Sequence, residues 1–144
     1  MPRNSWKRRV SCVFLLTIVL TTSMTAVYAG APEQVSIQTL LSHQAASYQR
    51  RLVTLQGVVR DIEITPPLRA LKCRLLYGQA TFMLDDGVDS LPVEVFGSCA
   101  PQAIDALPKN GDVVLVTALI QVLTTDTSVR VLAQATEIRI LDPK

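Results

Sequence analysis

The chain has 144 residues, 49% hydrophobic and 18% charged, with one histidine, three cysteines and a formal net charge of +2. That size suits one small domain with a modest core, and a lone histidine cannot by itself make a zinc site.

Arg3, Lys7, Arg8 and Arg9 precede an apolar run from Val10 to Leu20, and Val27-Tyr28-Ala29 supplies a small-residue exit. Basic, apolar and small-residue stretches in that order form an export signal, with cleavage expected between Ala29 and Gly30. An uncleaved anchor is the competing reading, because Val10 to Ala29 has the length of a span. Six of those positions are Ser or Thr, however, and the strongly apolar part is short. Cys12 stands at the start of the run instead of its end, which argues against lipid attachment. The expected address is periplasmic or secreted, with membrane contact only through the signal segment before cleavage.

Cleavage reverses the charge. Four basic side chains leave and no acidic ones, so ten Lys and Arg face twelve Asp and Glu in the remaining chain, a net of −2. The basic balance of the whole sequence therefore says nothing about an anionic partner of the domain. About 115 residues remain, enough for one small domain.

Residues 30–35 read as an exposed leader ahead of a domain over 36–144. Ser36 reads as an N-cap, and Ile37, Leu40, Leu41, Ala45 and Tyr48 recur at helical spacing, which predicts an amphipathic helix from Ser36 to about Tyr48. From Leu52 the period becomes two: Val53, Leu55, Gly57 and Val59 share one side of a first strand, with a sharp bend expected at Gly57. A loop from Thr65 to about Leu71 carries Pro66-Pro67. Ala80 to Leu84 is the second strand, and Asp85-Asp86-Gly87 a turn. The third strand holds Leu91, Val93 and Val95, and its Pro92 is tolerable only near the start of a strand or on an edge. A short helix is predicted from Pro101 to Leu107. Asn110-Gly111-Asp112 then turns the chain into a fourth strand, Val113 to Leu123, and a hairpin loop at 124–127 leads to a fifth, Val129 to Ile140.

The fold class is mainly β: a five-stranded barrel with an N-terminal amphipathic helix and a short helix between strands three and four. Leu55-Gln56-Gly57-Val58-Val59, Phe82-Met83-Leu84-Asp85-Asp86-Gly87 and Gly111-Asp112-Val113-Val114-Leu115-Val116 fall in the order and spacing of an OB-fold. Nearly the whole domain resembles that fold, and the arrangement is similar to small bacterial periplasmic OB-fold proteins. The resemblance implies a binding surface across strands two and three with the adjoining loops. The expected function is a non-enzymatic exported module recognising a protein or polymer there. Oligonucleotide binding by the same surface and a structural or stress-related envelope role are the alternatives. The exported haem chaperone of cytochrome c maturation is also an OB-like barrel, yet it uses a late histidine, and this chain has none after His43.

Arg60, Arg69, Lys72 and Arg74 gather around the loop between the first two strands, as a phosphate clamp would require. Stacking platforms are scarcer: Phe82 is assigned to the core and Tyr48 to its helix, leaving Tyr77 and Phe96. The plain alternative is a solvated basic loop balanced by Asp61, Glu63, Asp85, Asp86 and Asp89.

Cys73 and Cys99 are the only cysteines after the leader, and an oxidising compartment makes them an expected disulfide. If strands two and three pair about the turn at 86–88, facing residues have numbers adding to about 174, a relation the two cysteines meet within about two positions. No C-x-x-C spacing marks a redox pair. His43 reads as an exposed helix residue, and Asp85-Asp86 with Asp89 lack the alternating ladder and closing Glu of a calcium loop. With no Gly-rich phosphate loop, nucleophile elbow or H-E-x-x-H motif, no enzyme activity, cofactor or metal is expected.

Overall fold

The computed structural model describes residues 30–125 and 128–142. The predicted signal segment, 1–29, and positions 126 and 127 of the predicted hairpin loop lie outside them.

Residues 30–35 do more than lead in. Glu33–Gln34 forms a two-residue strand, β1, that pairs in parallel with the start of the next strand, and Val35 beside it is buried. Ser36 caps the helix that follows, its Oγ accepting the Thr39 N–H at 3.2 Å. That helix, α1, ends after Ile37–Leu41, and a 3-10 turn over Ala45–Tyr48 replaces the continuous helix expected from the apolar spacing. Ser42 explains the break: its hydroxyl donates to the Thr39 carbonyl and accepts the Gln44 N–H, offering local partners that compete with the helical ladder. Ile37, Leu40 and Ala45 are nevertheless buried, so both pieces still present an apolar side to the core.

Five strands form the barrel: β2 (Leu52–Ile64), β3 (Ala80–Asp85), β4 (Ser90–Val95), β5 (Val113–Thr124) and β6 (Val129–Asp142). Their order is β2-β3-β4-β6-β5, and β5 returns to β2 to close the sheet. Strand β2 serves two neighbours, pairing with β5 from Leu52 to Val58 and with β3 from Val58 onward. The change of partner falls beside Gly57, where the sequence predicts a bend. A bulge between Arg60 and Glu63 carries Asp61 at a φ of 49°, and the Asn110 Oδ1 accepts the Ile62 N–H at 3.0 Å there.

The alternating residues of every strand meet inside. Val53, Leu55 and Val59 of β2, Phe82 and Leu84 of β3, Leu91 and Val93 of β4, and Val114, Val116, Ala118 and Ile120 of β5 are buried in one cluster. Each such Val or Leu contributes roughly 1.5–3 kcal/mol on leaving water. Between β4 and β5 the predicted helix shrinks to a 3-10 turn, Pro101–Ile104. Successive bonds from Ala103 to Ala100, Asp105 to Gln102 and Leu107 to Ile104 all span three residues. Pro108 directly after Leu107 leaves no room for a longer helix.

Candidate binding surface

The segment joining β2 to β3, residues 65–79, is a small folded loop. The Thr65 N–H reaches the Gln79 carbonyl at 2.8 Å, and Leu68 and Leu76 exchange both backbone hydrogen bonds, at 3.2 and 2.7 Å. Tyr77 and Ser98 do the same, at 2.8 Å each way, which extends the β3–β4 pairing beyond the strands proper. Beyond that bridge Cys73 and Cys99 form a disulfide with a Cα–Cα distance of 5.8 Å. The loop tip is thus tied to the segment that follows β4.

Arg69, Lys72 and Arg74 sit at this tip and are exposed, and the two ion pairs among the described residues, Arg51–Glu33 and Arg60–Asp85, involve none of them. Leu71 between them is 109% exposed, its whole side chain in water. Tyr77, proposed with them from sequence, is half-buried at the loop's base.

Arg60 does not belong to this group. Its Nε donates to the Asp85 Oδ2 at 3.2 Å, toward the opposite end of the β2–β3 pair. Ile64, the last residue before the loop, lies four steps further along β2, roughly 13 Å at about 3.3 Å per residue. The sequence grouped it with the loop because Asp85, its partner, lies far along the chain.

The outward side of β3 and β4 presents Thr81, Met83, Asp85, Ser90, Pro92 and Glu94. Neither strand sets an aromatic ring or a cation of its own on that face, and the cation that reaches it is Arg60 of β2, bound to Asp85. Phe96, just past β4, is 61% exposed.

Beside this face the barrel seam opens. The β4–β6 ladder runs from Val93–Ala133 to Val95–Ala135 and goes no further toward Pro92, which has no N–H to donate. A groove of about 500 Å³ occupies the gap, lined by Leu41, Pro92, Glu94, Leu123, Val129, Arg130, Val131 and Leu132. A neighbouring hollow of about 360 Å³ shares Leu41, Val129 and Val131 and reaches exposed His43. Sequence reasoning missed this groove. Leu123 and Leu132, apolar residues standing off the inward alternation of their strands, were the available signal.

A closed five-stranded barrel with parallel β4–β6 pairing and a long antiparallel β5–β6 hairpin decides the architecture. The fold is an OB barrel. Solved structures share it. A putative aspartyl-tRNA synthetase from Leishmania major superposes with a TM-score of 0.58 at 12% identity, over 84% of this chain and 23% of that one. An asparaginyl-tRNA synthetase from Entamoeba histolytica gives 0.52 at 17% identity, over 80% and 25%. A domain of replication protein A from Methanococcus maripaludis gives 0.50 at 14%, over 76% and 97%. The chain thus spans about a quarter of each synthetase and nearly the whole of the replication protein A domain. At these identities the likeness is one of fold. No protein-family model and no curated protein matches the sequence.

The acidic turn of this OB barrel uses its carboxylates on itself. The Asp86 Oδ1 accepts the N–H groups of Val88 at 3.0 Å and Asp89 at 2.9 Å, and the Asp85 Oδ1 accepts that of Gly87 at 2.8 Å. The Asp89 and Val88 N–H groups hold the Asp86 carboxyl below its ordinary pKa, against a small opposing effect of burial. Among the described residues no three His, Cys, Asp or Glu side chains gather as a metal site would require.

Proposed function

We propose that the protein is a non-enzymatic, exported OB-fold binding module that takes a protein or polymer segment in the groove between α1, β4 and the β5–β6 hairpin. The observation carrying this reading is the contrast between the two surfaces an OB barrel offers. On the β3–β4 face the two strands set no stacking ring and the one cation, Arg60 of β2, is taken up by Asp85, whereas the adjacent groove is walled by Leu41, Pro92, Leu123, Val129 and Leu132. Glu94 and Arg130 at its wall provide one charge of each sign to orient an occupant. The basic and apolar start of the sequence supports export, and an exported single barrel fits the resemblance to small periplasmic OB-fold proteins.

Oligonucleotide binding is the second reading, favoured by Arg69, Lys72 and Arg74 on a loop that OB barrels commonly use for ligands. Solved structures that share the fold include a putative aspartyl-tRNA synthetase and a domain of replication protein A.

Titration of the oxidised protein into a labelled single-stranded oligonucleotide, followed by anisotropy at low and moderate salt, separates the two. A flat trace at low salt is expected. Salt-sensitive binding lost on changing Arg69, Lys72 and Arg74 to Gln would establish the second reading instead. The groove itself is tested on peptide and glycan arrays, where Leu123→Glu, at a half-exposed position, should abolish whatever binding the wild-type protein gives.

A further inference from the structure

The tip of the 65–79 loop combines two features that the groove reading leaves unused. Three exposed cations outside the ion pairs among the described residues, Arg69, Lys72 and Arg74, surround the fully exposed Leu71 within six residues of chain. Further exposed apolar side chains stand at the same end of the barrel. The register row Ile64–Ala80–Val95 places the end of β2, the loop and the end of β4 together, and Ile64, Leu68 and Phe96 are 49%, 49% and 61% exposed. A leucine held wholly in water between cations contributes nothing to the barrel. The disulfide to Cys99 and the Leu68–Leu76 bonds hold the tip in shape, so little chain entropy is lost when it docks.

We propose that this tip docks on an anionic phospholipid surface, with Leu71 entering the boundary between headgroups and acyl chains and Arg69, Lys72 and Arg74 resting on the lipid phosphates. Aliphatic side chains flanked by Lys and Arg match that boundary, where apolar burial and attraction to anionic headgroups act together. Single-stranded nucleic acid would call for aromatic rings among the cations, and the tip has none. Charge complementarity also orients the approach. With these three side chains set aside, the chain from Gly30 onward holds seven basic against twelve acidic residues. An anionic surface therefore attracts the tip and repels the remainder of the domain. This surface is separate from the groove, so either can fail while the other stands.

The test uses a fluorescent reporter at the tip. The sole tryptophan of the sequence is Trp6, in the signal segment, so Leu71→Trp places a reporter where insertion is expected. The variant is produced from the full-length gene, purified in the form the cell leaves it, and read against wild type to subtract any Trp6 signal. Vesicles of phosphatidylglycerol and phosphatidylcholine should shift its emission to the blue, and vesicles of phosphatidylcholine alone should not. Adding Arg69→Gln, Lys72→Gln and Arg74→Gln should weaken vesicle binding about fivefold per charge, on the order of a hundredfold together. In the wild-type background Leu71→Ser, at a position in full contact with water, should weaken it without altering the fold. No blue shift with anionic vesicles at low salt would overturn the proposal. So would a shift that survives the triple charge change, or vesicle binding indifferent to Leu71→Ser. Salt-dependent oligonucleotide binding without vesicle binding would assign the tip to nucleic acid.

Discussion

Gly57 and Asp85 pass so close that a Cβ at position 57 would lie 2.7 Å from the Asp85 carbonyl oxygen. The same Cβ would stand 3.0 Å from the Leu84 Cγ and 3.1 Å from the Asp85 carbonyl carbon. This is where β2 leaves β5 for β3, Val58 pairing with both Val113 and Asp85. A backbone oxygen held in a ladder cannot turn aside as a side chain can. Gly57→Ala should therefore destabilise the domain by about 1–2 kcal/mol, the overpacking cost outweighing the smaller entropy gain from restricting the unfolded chain. Urea denaturation of both proteins measures it, and equal midpoints would refute the close-approach account.

The Cys73–Cys99 disulfide closes a loop of 26 residues in sequence separation and joins the loop tip to the segment after β4. On the chain-entropy estimate it stabilises the domain by about 3–4 kcal/mol, much of the net stability of a domain this small. Cys73→Ser with Cys99→Ser should lower the urea midpoint accordingly. Dithiothreitol should lower that of the wild-type protein equally and leave the double variant unchanged.

Asp86 supplies a pH signature. Its carboxyl is held below the ordinary value first by the Asp89 N–H and then by the Val88 N–H, so the folded state binds this proton less readily than the unfolded state. The associated stability is present above about pH 4, the ordinary aspartate range, and is lost as pH falls through the lower folded value. Asp86→Asn should therefore lower the melting temperature at pH 6 by a degree or so, on the order of the effect of an exposed turn. The two proteins should converge toward pH 2. A constant gap between them from pH 6 to pH 2 would show that the carboxylate charge plays no part.

The five barrel strands were legible because their core-facing stretches alternate and turn residues such as Asp85-Asp86-Gly87 and Asn110-Gly111 bound them. Their buried residues, from Val53 to Ile120, are those the alternation pointed inward. Strand β1 left no such trace, since Glu33 and Gln34 have no period of their own and acquire strand geometry only from Val53 and Thr54. The helix was overextended because apolar spacing continues across Ser42, whereas the break comes from a hydroxyl's choice of partner. At the candidate surface the loop cations and the cysteine pair were readable locally. The groove was not, because it exists only where the β4–β6 ladder stops short of Pro92, a pairing between strands some forty positions apart. Arg60 was misplaced for the same reason, its ion pair being a product of the β2–β3 register.

The export reading makes a prediction that charge alone can check. Arg3, Lys7, Arg8 and Arg9 all precede the expected cut between Ala29 and Gly30, and no acidic residue does, so processing takes the formal charge from +2 to −2. The full-length product should be basic and the processed protein acidic on isoelectric focusing. Intact mass should place the new N-terminus at Gly30. Replacing Ala29 by a bulky residue such as Tyr should block processing, leaving a basic, membrane-associated species, because the small residue at the cut is what a signal peptidase accepts. A soluble product that keeps Arg3 to Arg9 would overturn the export reading. It would also return the basic stretch to any account of what the protein binds.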